Sequence, residues 1–146
     1  MKIEIIVDEN ANDLDIVVTC KRLTPDVEKI LASLRMINHQ LTVKKDGEIL
    51  FLDIAQIIYI ESIDRKCFIY TRKDVYESDY RLYELEGQLE EYGFLRVSKS
   101  FLIHLQDIQS LRADINRRIR ITMAGGEQII ASRQYAEELK KRLGVM

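Results

Sequence analysis

Cysteine, proline and glycine are all scarce in this chain: two, one and six residues among 146. Cys20 and Cys67 form no motif with each other or with a histidine. A disulfide framework or a zinc ribbon is therefore not expected, and free thiols in a reducing cytoplasm are. One proline and six glycines leave no room for a collagen-like or linker-like stretch, and 47% hydrophobic with 32% charged residues is a globular composition. No apolar run reaches the length of a membrane span. The first residues, MKIEIIVDEN, lack a signal peptide's basic start and small-residue cleavage site. Only two histidines occur, His39 and His104, neither with a cysteine or acid at metal-ligand spacing. A phosphate-binding glycine loop, a dinucleotide fingerprint and a nucleophile elbow are all missing. Neither an enzyme nor a cofactor or metal site is expected.

The net charge of −2 does not by itself announce a nucleic-acid binder, but the charge is unevenly spread. Glu77 to Glu91 carries six acids and one base, whereas Phe94 to Arg133 carries seven bases and three acids. One face that attracts phosphates and another that repels them is one reading. Ordinary solvated charge is the other.

Residues 1–40 read as a small β-β-α extension. Ile3, Ile5 and Val7 alternate with polar residues, and Ile16 to Val18 form a second apolar run. Thr24-Pro25 opens a helix whose stripe is Val27, Ile30, Leu31, Leu34 and Ile37. This segment either packs on the rest of the chain or mediates self-association. IIVDENANDL resembles the start of a response-regulator receiver, with Asp8 and Glu9 as its acidic pair. About 35 residues cannot hold the alternating βα units of such a domain, so the two acids read as turn residues.

From Gln40 the pattern is mostly β. Strands are expected at Leu41–Lys45 and Glu48–Leu52 around Asp46-Gly47, then at Gln56–Glu61 and Cys67–Thr71. Leu82, Leu85, Leu89 and Tyr92 mark a helix ended by Gly93. Leu95–Val97 reads as extended and Ser98–Leu105 as a short helix. Further strands follow at Ile108–Leu111, Arg118–Met123 and Glu127–Ala131. Ser132 is expected to cap a last helix over Arg133–Leu143.

Three segments carry a resemblance in this order: IIYIESIDRKCFIYT at 57–71, FLRVSKSFLIHLQDIQSL at 94–111 and GGEQIIASRQYAEELKKRL at 125–143. Over residues 41–146 they resemble the LytTR DNA-binding family. The shared features are a strand ending Tyr-Ile-Glu, a Phe-x-Arg-x-x-(Lys/Arg/Asn)-Ser-(Phe/Tyr) block, and a Ser-Arg-x-Tyr step into the final helix.

The resemblance implies small antiparallel sheets whose loops enter successive major grooves, usually as pairs on repeated half-sites of bent double-stranded DNA. It implies a sequence-specific, non-catalytic transcription regulator without a receiver, acting as a homodimer or as paired monomers. A protein-interaction module that keeps the fold without binding DNA is the alternative. A membrane protein is a further partner suggested by the family. Carried onto this chain, Arg65 and Lys66 become donors of the loop Ser62–Cys67, where some members place a histidine near Cys67 that is missing here. Lys99, with Ser100 beside it, matches a DNA-contacting position, and Arg133 matches the arginine of the Ser-Arg step. Arg96 matches an arginine that serves equally well as a phosphate contact or a structural ion pair. Arg117, Arg118 and Arg120 match no specific position and stand as generic phosphate candidates. Phe94, Phe101, Leu102, Ile103 and Tyr135 read as core.

Overall fold

The computed structural model describes residues 1–145. After an extended start the chain forms helix α1 (Pro25–Ile37), strands β1 (Gln40–Lys45), β2 (Glu48–Asp53), β3 (Tyr59–Ile63), β4 (Lys66–Tyr70) and β5 (Val75–Ser78), and helix α2 (Leu82–Leu89). Strands β6 (Phe94–Arg96), β7 (Phe101–His104), β8 (Ile108–Ala113), β9 (Ile119–Met123) and β10 (Gln128–Ala131) follow, and helix α3 (Arg133–Leu143) ends the fold. The strands build a seven-stranded antiparallel sheet in the order β2-β1-β5-β4-β3-β7-β6 and a three-stranded one in the order β10-β9-β8.

Apolar residues run continuously through the centre because β3 and β7 are covered on both faces. Ile60 and Leu102 point to one core with Leu41, Ile69, Leu85 and Leu89. Their neighbours Tyr59 and Ile103 point to a second core with Val97, Ile121, Met123 and Leu139. Helix α2 thus closes one side of the large sheet, and the small sheet with α3 closes the other. Tight turns follow the chemistry of the chain. Asp46-Gly47 turns β1 into β2 with both residues in the left-handed region, φ 50° and 79°. Gly93 ends the α2 segment at φ 84°.

Several elements differ from the sequence-based expectation. Ser98–Leu105 is not a helix. Ser98 Oγ instead accepts hydrogen bonds from the N–H groups of Ser100 and Phe101, a local turn that competes with helix. Phe101–His104 then pairs with both β3 and β6, so the sheet claims those backbone groups. Strand β5 was not expected; YES within VYES is polar, and its strand state comes from pairing with β4. Ser132 sits at the N-cap position of α3 but makes no side-chain capping bond. Residues 1–23 contain no strand, although Ile3–Val7 and Ile16–Val18 alternate as strands do. A two-stranded ribbon with nothing packed beneath it is marginal in water. Helix α1 does form, with Thr24 Oγ1 accepting from Val27 N–H, yet none of its residues is fully buried. Among the described residues no helix is long and apolar enough to cross a membrane.

Candidate nucleic-acid interface

Three connections meet at one end of the molecule. The first is the Asp64-Arg65 turn between β3 and β4, the second is Ser98–Ser100 between β6 and β7, and the third is the Ser132–Arg133 entry into α3. Backbone hydrogen bonds tie them together. Ser62 N–H donates to Ser100 O at 2.8 Å, and Ser132 N–H donates to Val97 O at 2.9 Å. The loops are therefore held by the sheet rather than left to fold on a ligand, which is how rigid strands present contact residues.

Lys99, Arg117 and Arg133 line one open cleft of about 750 Å³ with Ser98, Ser100 and Ser132. All three cations are exposed. Among the described residues none of them takes part in a salt bridge; Glu137, on the cleft rim, lies 3.7 Å from Lys140 instead. With no side-chain cap on α3, the N–H groups of Arg133 and Gln134 also remain open to an outside anion among the described residues, whereas Tyr135 N–H donates to Ser132 O. The combination suits phosphate oxygens and base-edge acceptors.

The remaining candidates are placed differently. Arg65 is exposed at the tip of its turn, three residues along the chain from Ser62 and its bond to Ser100. Asp64 and Arg65 both adopt left-handed backbone, φ 50° and 67°, as a two-residue hairpin of this twist requires, although neither is glycine. Arg81 Nη1 braces the turn by donating to Arg65 O at 3.3 Å. Lys66 Nζ donates to Glu77 at 3.1 Å, so its charge is shared across the sheet. Cys67, near which some family members place a histidine, is fully buried, and burial pushes its thiol pKa up.

Arg96 is already engaged. Its Nε donates to Ser98 O at 3.0 Å, its Nη2 to Lys99 O at 2.6 Å and its Nη1 to Glu86 at 3.2 Å. Of the two uses open to this residue, the geometry is that of a structural clamp on the loop that carries Lys99.

Arg117 is the residue that sequence reasoning did not single out. Its neighbours Arg118 and Arg120 both lie within 4 Å of Asp114, leaving Arg117 to the cleft. Asn116 and Arg117 are left-handed, φ 57° and 63°, which turns the short loop before β9 towards α3. A run of Asn-Arg-Arg gives only faint notice of that. Among the described residues no three histidine, cysteine, aspartate or glutamate side chains group closely enough to hold a metal.

This end-on set of basic loops on stacked antiparallel sheets is a candidate surface for nucleic acid. The LytTr DNA-binding domain model matches residues 47–144, and the chain belongs to the LytTR family of DNA-binding transcriptional regulators, which are not enzymes. It is 30% identical over 107 residues to the sensory transduction protein LytT of Bacillus cereus, a match covering 73% of this chain and 44% of that protein. The chain thus spans less than half of that relative's length. It is also 27% identical over 147 residues to an HTH-type transcriptional regulator of Staphylococcus aureus, covering 99% of both chains and leaving no room there for a separate receiver. Among solved structures, a LytTr DNA-binding domain from Bacillus cereus superimposes with a TM-score of 0.68 at 24% identity, over 73% of this chain and 97% of that one.

Proposed function

We propose that the protein regulates transcription by binding specific duplex sites through three loops laid against the major groove, in the cytoplasm and in pairs on repeated half-sites. The observation that carries this reading is the convergence of Lys99, Arg117 and Arg133 on one open cleft, without salt-bridge partners among the described residues. Arg133, at the start of α3, is positioned for the O6 and N7 acceptors of a guanine, the commonest specific contact of arginine. Lys99 and Arg117 contact flanking phosphates, with Ser100 beside them, and the Arg65 turn reaches the next stretch of backbone. Lys66 joins them by exchanging Glu77 for a phosphate. Arg96 supports the set without touching DNA.

Fluorescence anisotropy on a duplex from the protein's own upstream region tests this, with wild type and Arg133→Ala at two salt concentrations. Arg133→Ala should lose about 1–3 kcal/mol and relax base preference at one position. Equal and weak binding of both proteins to that duplex and to random DNA would refute the site and favour an interaction module that only keeps the fold.

A further inference from the structure

Among the described residues, most of the apolar surface of residues 1–18 stays uncovered. Ile3, Ile5, Ile6, Val7, Ile16 and Val17 are between 57% and 91% exposed. They present on the order of 600 Å² of apolar side chain, more than isolated surface residues normally add up to. A standard interface takes about 800 Å² from each partner. Beside them Leu14, Ile16, Val18, Leu31, Leu34 and Ile37 line an open groove of about 370 Å³ between the extended segment and α1.

Charge distinguishes two ways of covering this surface. Folding residues 2–8 back on residues 15–21 of the same chain in the apolar-matched register sets Ile3 opposite Cys20, Ile5 opposite Val18 and Val7 opposite Ile16. That register also sets Lys2 opposite Lys21 and Asp8 opposite Asp15, like charges facing at both ends. Two copies of residues 2–8, paired antiparallel about Ile5, keep the apolar match on the Ile3, Ile5 and Val7 face, while on the other face Ile6 exchanges Val17 for Glu4. Ile3 then faces Val7, and Ile5 faces its mate. Lys2 now faces Asp8 at both ends. Such a pairing is isologous, as a two-fold dimer demands.

We propose that residues 2–8 of two copies form a two-fold antiparallel β-ribbon, whose Ile3, Ile5 and Val7 face covers the grooves beside α1, and that this ribbon is the dimer contact. The proposal rests on the paired binding described above and supplies its physical basis. The ribbon shares no residue with the basic loops and lies outside the stretch that the family model matches.

Sedimentation equilibrium of the full chain without DNA tests it, using wild type, Ile5→Lys, Lys2→Glu, Asp8→Lys and the double variant Lys2→Glu/Asp8→Lys. Wild type should dimerise at micromolar concentration. Ile5→Lys, which puts two lysines face to face, should be monomeric. Each single charge reversal should raise the dimer Kd by on the order of tenfold, and the double variant, which exchanges the two ends, should restore it. Near-UV circular dichroism checks that every variant keeps its core. A monomeric wild type, a dimer indifferent to Ile5→Lys, or a double variant no better than the singles would overturn the proposal. Binding of Ile5→Lys to a single half-site is measured separately. A dimer that binds no DNA would sink the regulatory reading and leave this one standing, and a monomer that binds the half-site would do the reverse.

Discussion

Replacing Arg96 by methionine separates a clamp from a DNA contact. The side chain is 19% exposed, and its guanidinium makes three hydrogen bonds within the protein. Methionine keeps most of the apolar stem and removes the charge. A hydrogen bond to a charged group contributes about 1.5–3 kcal/mol when water cannot replace it. Here the Ser98 and Lys99 carbonyls belong to a half-exposed loop and rehydrate in part. Glu86 is 43% exposed, so its ion pair adds less than about 1 kcal/mol. The net loss of stability should be about 2 kcal/mol, read from urea unfolding. DNA affinity should fall on the order of tenfold because Lys99 still reaches its phosphate but must now be ordered at the moment of binding. Its salt dependence should not change. A lost phosphate contact lowers the slope of log K against log salt by about 0.9, and Lys99→Ala serves as the reference for that loss. If Arg96→Met keeps its stability within about 0.5 kcal/mol and shows the shallower slope, Arg96 is a phosphate contact and the clamp is wrong.

Two other perturbations follow from the geometry. Arg65 holds left-handed backbone that glycine adopts freely, so Arg65→Gly should raise folding stability by about 0.5 kcal/mol once the extra freedom of the unfolded chain is discounted. It should also weaken DNA binding; a loss of stability with unchanged affinity would contradict both assignments. Burial pushes the Tyr59 phenol from its ordinary 10.0 up to about 12. The folded protein therefore holds that proton more tightly than the unfolded chain does. Its contribution is complete below about pH 10 and is lost as the pH rises towards 12, at most on the order of 2–3 kcal/mol. Denaturant midpoints over that range should fall more steeply for wild type than for Tyr59→Phe, and parallel curves would rule the effect out.

Much of the fold and part of the site could be read along the chain. The apolar run through Ile57–Ile60 marked the centre of the sheet, since strands covered on both faces carry apolar residues without alternation. Asp46-Gly47 fixed the first hairpin, and helical spacing placed α1, α2 and α3, because these signals are local. The three blocks of family resemblance pointed to Lys99, Ser100 and Arg133, and the structure brings those residues to one cleft.

Tertiary pairing decided the rest. Ser98–Leu105 carries residues that suit a helix or a strand, and its state was settled by the edge of β3, which lies far off in sequence, together with that of its hairpin partner β6. The same applies to β5, which pairing with β4 makes a strand. Arg96 and Arg117 look alike in the sequence, as arginines within a basic stretch. Only the fold brings the Ser98 and Lys99 carbonyls and Glu86 to the first, while Asp114 occupies the neighbours of the second. Residues 1–18 show the converse: their strand pattern is plain in the sequence. A strand, however, needs the hydrogen-bonding edge of another strand, and within one chain the apolar-matched register opposes like charges.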